Sequence, residues 1–303
     1  MKTIQSIATI KNPNPTPIKK RKHKIPFIGK VIRFSFKNIS HLAPKTFGKL
    51  AWTLFQRPVS RAEHRKSDAL LESVKRFDFP HKNLNIKGYS WGEGEKTALL
   101  VHGWGSRGTA MRNFAPTLVS NGYRVVTLDA PAHGDSSGKK VNPFLYAQVI
   151  AALIEHLGGV EMIIGHSFGG FSSAIMLSKV APHIQVDQFI CVASFTSSSI
   201  PFGEFKKVMR LPDKVLHQME MASFKQIGTH PKEGNLLEIP RPQNIKQLIL
   251  VHDKDDNVCD FQHSQDIYHH WKADFFIQTK DFGHFKILHS EAIIQKIIGF
   301  IRY

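Results

Sequence analysis

Residues 162–171 read MIIGHSFGGF. Met162, Ile163 and Ile164 have the character of a buried strand, and Gly165, His166, Ser167, Phe168, Gly169 and Gly170 follow at once. From Phe168 to Val180 the apolar spacing becomes helical. A strand that passes into a helix through so short a link must turn sharply. Small residues at Gly165 and Gly169 let strand and helix approach, and the turn lifts the Ser167 hydroxyl above the sheet, beside the helix N–H groups. The G-x-S-x-G pattern alone carries little weight: roughly one chain in ten of this length holds one by chance at ordinary Gly and Ser frequencies. The strand before it and the helix after it raise Ser167 from turn punctuation to candidate nucleophile.

Outward from this turn the chain alternates. Apolar runs predict strands at 84–91, 98–101, 123–128, 188–193, 248–252 and 275–279. Helical spacing predicts helices at 111–119, 142–157, 261–271 and 290–301. Continuously apolar strands separated by helices imply an α/β protein, with a mostly parallel, doubly wound sheet covered on both faces. Residues 195–242 break the rhythm with a helical stretch, Pro201–Ile227, and no strand signal. They read as a small helical cap inserted between two strands.

In such a sheet the chemistry gathers at the carboxyl ends of the strands. His102-Gly103-Trp104-Gly105, the acid-rich turn from Asp129, Ser167, the stretch His252-Asp253-Lys254-Asp255-Asp256 and Lys280-Asp281-Phe282-Gly283-His284 all stand at such ends. A serine nucleophile needs a base and an orienting acid, in the chain order Ser, Asp or Glu, His. Of 17 histidines, His284 follows both the serine and a strand-end acid and precedes the last helix. Asp253, Asp255 and Asp256 all qualify as the acid, and spacing does not choose among them. Two backbone N–H groups should meet a developing oxyanion: that of Phe168, after the nucleophile, and that of Trp104, on the loop opened by His102 and Gly103.

These residues together resemble the α/β-hydrolase superfamily over roughly 84–303. The resemblance rests on HGWG (102–105), DAPAHGDSSG (129–138), GHSFGG (165–170), VHDKDD (251–256) and GHFKIL (283–288). It implies an eight-stranded sheet, a catalytic set of Ser167, Asp256 and His284, and a two-step acyl transfer with no cofactor and no metal. Asp256, four residues after His252, takes the acid's place in the family pattern. The proline expected after it is missing, which leaves Asp255 as a rival. His133 reads as a loop-shaping residue. The resemblance points to a carboxylic-ester hydrolase acting on a small-molecule acyl substrate. A thioesterase, an amidase and a C–C hydrolase are alternatives on the same residues, and a non-catalytic binding protein is the alternative from another class.

Composition bounds the rest. With 303 residues, 42% of them apolar, the chain can bury a full core. Cys191 and Cys259 form no CxxC pair, so a reducing, cytoplasmic setting is expected. The net charge of +17 is lopsided. Residues 1–62 hold 14 Lys/Arg and no acid, leaving +3 for the other 241 residues. A nearly balanced body of that kind disfavours nucleic acid as a partner. The sequence divides into a basic, partly helical arm (1–62) and a hydrolase-like domain (63–303). Prolines and repelling charges predict no structure in the first 28 residues. Phe47, Leu50, Ala51, Leu54 and Phe55 then recur at helical spacing. Two readings stay open for residues 1–55: docking on the body, or peripheral contact with an anionic membrane at the inner surface. Nothing in the sequence indicates an oligomeric state.

Overall fold

A computed structural model describes residues 6–15, 27–64 and 67–301. Among the described residues, nine strands form one sheet: β1 (Ser6–Lys11), β2 (Lys75–His81), β3 (Leu84–Trp91), β4 (Lys96–Val101), β5 (Tyr123–Leu128), β6 (Met162–His166), β7 (Val186–Val192), β8 (Ile245–Asp253) and β9 (Phe275–Lys280). Their spatial order is β1-β9-β8-β7-β6-β4-β5-β3-β2. β3 alone runs against the rest, pairing antiparallel with both β2 and β5.

The helices are α1 (Phe27–Asn38), α2 (Pro44–Phe55), α3 (Ala69–Glu72), α4 (Ala115–Ser120), α5 (Pro143–His156), α6 (Phe168–Ile175), α7 (Ser199–Met209), α8 (Asp213–Ile227), α9 (Phe261–Trp271), α10 (Gly283–Lys286) and α11 (Glu291–Gly299). The predicted helix at 111–119 begins as a 3-10 turn at Gly108 and becomes α4.

The central strands bury both faces. Leu99 and Val101 of β4 join one core with α5, α6 and α9, through Tyr146, Ile150, Phe171 and Trp271. Ala98 and Leu100 join the other with α4 and α11, through Leu118, Ile293, Ile294 and Ile297. Successive side chains of a strand point to opposite faces, so a strand clad on both sides reads as apolar throughout. Each fully buried Leu or Ile contributes about 1.5–3 kcal/mol relative to exposure.

Three expectations are corrected. Residues 6–11 are not unstructured; they form β1, which adds a ninth, parallel strand beside β9, in register from Ser6↔Phe275 to Lys11↔Lys280. Asn12 extends the pairing by donating its N–H to the Lys280 carbonyl at 3.0 Å. The rest of the stretch expected to lack structure lies partly outside the described residues. β2 is a second unforeseen strand, on the opposite edge. The cap's single helical stretch is two helices: Arg210 takes a left-handed conformation (φ +58°) and Pro212 follows it, so α7 ends and α8 starts anew.

The arm packs on the cap. α2 crosses α8 so closely that a Cβ on Gly48 would lie 2.4 Å from the Gln218 Cβ. Phe36, Ala51 and Trp52 share a third apolar core with Phe202, Leu211, Val215 and Met219 of the cap. Trp52 Nε1 donates to the Gln226 side chain at 2.7 Å. Among the described residues no helix is long and apolar enough to cross a membrane.

Candidate active site

Ser167 sits where β6 becomes α6, with φ +52° and ψ −119°. A non-glycine residue in this region carries about 1–3 kcal/mol of strain, held only because its surroundings over-determine it. Here the backbone is pinned from three sides. Ser167 N–H donates to the Val192 carbonyl at 2.8 Å, and its own carbonyl accepts from Phe171 N–H (3.0 Å) and Ser194 Oγ (3.1 Å). The close approach of strand and helix demands glycines: a Cβ on Gly165 would stand 2.6 Å from the Gly170 Cα, and one on Gly169 would stand 2.3 Å from the Val101 carbonyl oxygen.

The loop after β4 comes right up to this turn. A Cβ on Gly103 would lie 3.2 Å from the Ser167 Cβ and 3.0 Å from His166 Nδ1. Two neutral imidazoles hold the loop. His102 donates from Nδ1 to the Gly103 carbonyl (2.7 Å) and accepts the Ala130 N–H at Nε2 (2.9 Å). His133 donates from Nδ1 to the Pro131 carbonyl (3.1 Å) and accepts the Gly105 N–H at Nε2 (3.0 Å). Burial lowers both rings below the ordinary histidine value. Among the described residues, the N–H groups of Trp104 and Phe168 meet no acceptor. Their side chains form a wall: the Trp104 ring meets Phe168 edge to face at 5.4 Å, and Phe168 stacks on Tyr146 at 5.6 Å.

Asp256 and His284 come together from the ends of β8 and β9. His284 Nδ1 lies 2.7 Å from Asp256 Oδ2, and both side chains are almost wholly buried. Asp256 Oδ1 accepts the N–H groups of Val258 and Cys259 at 2.8 and 2.9 Å. His252 Nε2 approaches Oδ2 from the other side at 3.3 Å. Burial alone would raise the Asp256 carboxyl. The hydrogen bonds from His252 and His284 outweigh it and hold the group well below the usual carboxylate range. The carboxylate is therefore charged. With Nδ1 engaged by Asp256, Nε2 is the nitrogen of His284 that the carboxylate leaves free for proton transfer.

Of the three candidate acids, Asp256 alone is hydrogen-bonded to His284. Asp253 accepts from Thr279 Oγ1 (2.7 Å) and Phe282 N–H (3.0 Å), and Asp255 accepts from Asp281 N–H (3.1 Å). Both fasten the loop that carries His284. His166 ties that loop to the serine turn, its Nε2 lying 2.9 Å from the His284 carbonyl oxygen and its ring 4.7 Å from the His284 ring. Burial and the neighbouring His284 push His166 down to about 3, so it is neutral. The Ser167 hydroxyl forms no hydrogen bond among the described residues. Such contacts are often loose without substrate and tighten when it binds.

Sequence reasoning gave His252 and His166 no part in the site. The four-residue step from His252 to Asp256 was the available signal for the first. The second depends on the approach of a loop 118 positions away, which no local pattern carries. Asp129, at a strand end, proves wholly internal: it accepts from Gly108 N–H, Asp135 N–H and Tyr89 Oη, each at 2.8 Å.

A sequence model of the alpha/beta hydrolase fold matches residues 97–238. The chain is similar to a 2-hydroxy-6-oxononadienedioate/2-hydroxy-6-oxononatrienedioate hydrolase of Escherichia coli K12, at 34% identity over 107 residues. That match covers 32% of this chain and 36% of the relative, so the chain spans little more than a third of the curated relatives it matches. Among solved structures it is similar to an esterase of Pyrococcus furiosus (TM-score 0.60, 20% identity, covering 81% of this chain and 96% of that one). It is also similar to the thioesterase domain of a curacin biosynthetic pathway (TM-score 0.55, 15% identity, covering 74% and 99%). At these identities the structural likeness speaks for the fold.

Proposed function

The chain belongs to the α/β-hydrolase superfamily, and on that footing we propose that it is a serine hydrolase cleaving a carboxylic ester through a covalent acyl-enzyme. The observation that carries this reading is the buried hydrogen bond from His284 to the charged Asp256, in a loop tied by His166 to the strained Ser167 turn.

The chemistry follows from the roles these atoms can take. Ser167 Oγ attacks the acyl carbon while His284 Nε2 accepts its proton. Asp256 keeps the imidazole in the tautomer that can accept and stabilises the imidazolium that forms. The oxygen of the tetrahedral intermediate lies against the N–H groups of Phe168 and Trp104, each such donor being worth about 3–4 kcal/mol at the transition state. Collapse breaks the ester bond, and the departing alcohol takes the proton from His284. Water then attacks the acyl-enzyme with His284 again as base, releasing the carboxylic acid and restoring Ser167.

The test is direct. A fluorophosphonate should label the wild-type protein at Ser167, and Ser167→Ala should lose both labelling and turnover on a graded panel of esters. Turnover retained by Ser167→Ala would end the proposal, and failure of any probe to label would favour a non-catalytic binding protein. A second reading, cleavage of a C–C, thioester or amide bond by the same residues, is favoured by the sequence match to the oxononadienedioate hydrolase. Thioesters, amides and vinylogous 1,5-diketones on the same panel, with the alanine variant as blank, separate the two.

A further inference from the structure

The basic arm and its apolar residues divide between two surfaces. Of the stripe Phe47–Phe55 of α2, Phe47, Ala51, Leu54 and Phe55 pack on the cap and are used inside the protein, while Leu50 stays 42% exposed. α1 is different, because its residues sort onto three faces. Ile32 and Phe36, four apart, turn toward the cap core. Lys30, Arg33 and Lys37 form a second, cationic stripe at steps of three and four. Phe27, Val31 and Phe34 form a third face, which is apolar and open to solvent: Phe27 is 78% exposed and Phe34 63%. Ile28 on the same helix, and Ile39 and Leu42 in the turn that follows it, are exposed as well, Leu42 to 76%.

So many large apolar side chains left in water on one short segment mark an interaction surface. The surrounding charge says what kind. The whole arm carries no acid, so nothing in it repels an anion. α7 packs beside α1 and adds exposed Val208, Lys207 and Arg210. The two acids nearest in sequence, Glu204 and Asp213, are held in ion pairs with Lys207 and Lys206. An apolar face flanked by cations matches a bilayer interface rich in anionic lipid, where rings and aliphatic chains enter the acyl boundary and Lys and Arg meet headgroup phosphates.

We propose that the exposed apolar residues of α1 and of the turn after it, from Phe27 to Leu42, dock this protein on an anionic membrane surface while α2 keeps the arm fixed to the cap. This inference does not depend on the hydrolase chemistry. The experiment is co-sedimentation of the full chain with vesicles of phosphatidylcholine with and without phosphatidylglycerol. Binding should be at least tenfold stronger to the anionic vesicles and should weaken as salt shortens the screening length. Phe27→Ser/Phe34→Ser/Leu42→Ser and, separately, Lys30→Glu/Lys37→Glu should each lower binding at least tenfold. All five positions are exposed, and an unchanged melting temperature would show that the fold survives. Absence of binding to anionic vesicles at low salt would overturn the proposal, as would binding indifferent to both sets of substitutions. Sedimentation velocity supplies a third overturning result, a dimer that the serine substitutions dissolve in protein that ignores vesicles. Retention of nucleic acid by protein that ignores vesicles would be a fourth.

Discussion

Ser167 holds a backbone conformation that its neighbours enforce, and Asp256 holds a charge that its neighbours stabilise. Both statements lead to substitutions with distinct outcomes. Asp256→Asn keeps the shape but removes the charge and the acceptor that fixes the His284 tautomer, so kcat should fall by about four orders of magnitude with little change in KM. Asp255→Asn should retain most activity, since its carboxylate contacts a loop N–H at the surface. Asp253→Asn should lower the melting temperature, because a buried carboxylate serving Thr279 and Phe282 is lost. Steady-state kinetics and thermal melts on the three variants test this, and equal kinetic losses in all three would contradict the assignment of Asp256. Much at this scale was legible: the order of serine, acid and histidine along the chain, and the glycines that let the turn close. Spacing alone did not choose among the three acids, because that depends on which carboxylate faces an imidazole arriving from another strand; only the resemblance, through the step from His252, pointed to Asp256.

At the level of elements, the strands read most clearly are those clad on both faces, since burial on both sides leaves an unbroken apolar run. The edges were missed for the complementary reason. β2 reads KRFDFPH, half solvated and containing Pro80, which only an edge strand tolerates. β1 depends on a partner strand more than 250 residues away, and local sequence cannot announce such a partner. The arm's helix α2 was legible, but the surface it covers was not. Its seat on α8 turns on Gly48, where any Cβ would strike the backbone of Gln218 and Met219. Gly48→Val should therefore loosen the arm. Limited proteolysis should then cut between residues 56 and 68 much faster than in the wild type, with the body left intact. Equal cleavage rates would mean that the crossing is looser than the geometry requires.

At the scale of the whole molecule, several histidines are buried as neutral rings, and they set how the fold responds to acid. His102, His133 and His166 titrate below the ordinary value of 6.5, chiefly through burial. In the unfolded chain the same rings gain protons as the pH falls through that value, so the unfolded state binds more protons and folding weakens on acidification. Each ring contributes at most about 1.4 kcal/mol per pH unit, and the three together up to about 4. Asp256 acts in a more acidic window: its carboxyl is depressed, so its contribution stays intact above the normal carboxylate value of 3.8 and is lost only below it. Melting temperature should therefore drop steadily between pH 6.5 and 5, before the carboxylates matter. A flat profile over that range would show that these rings are protonated in the native protein.

β1 gives the first residues of the chain a further consequence. In its place β9 would be the outermost strand, with a row of backbone N–H and C=O groups open along Phe275–Lys280. Such a bare margin is a template on which another molecule can add its own strand. β1 is then itself the outermost strand, but its sequence SIATIK, closed by Lys11, takes the place of the Phe275-Phe276-Ile277 run at that margin, which disfavours self-association beside the strand that carries the His284 loop. A protein shortened to begin at Asn12, which loses β1 but keeps α2 on the cap, should show this as concentration-dependent clumping, visible in light scattering, even where its interior remains folded.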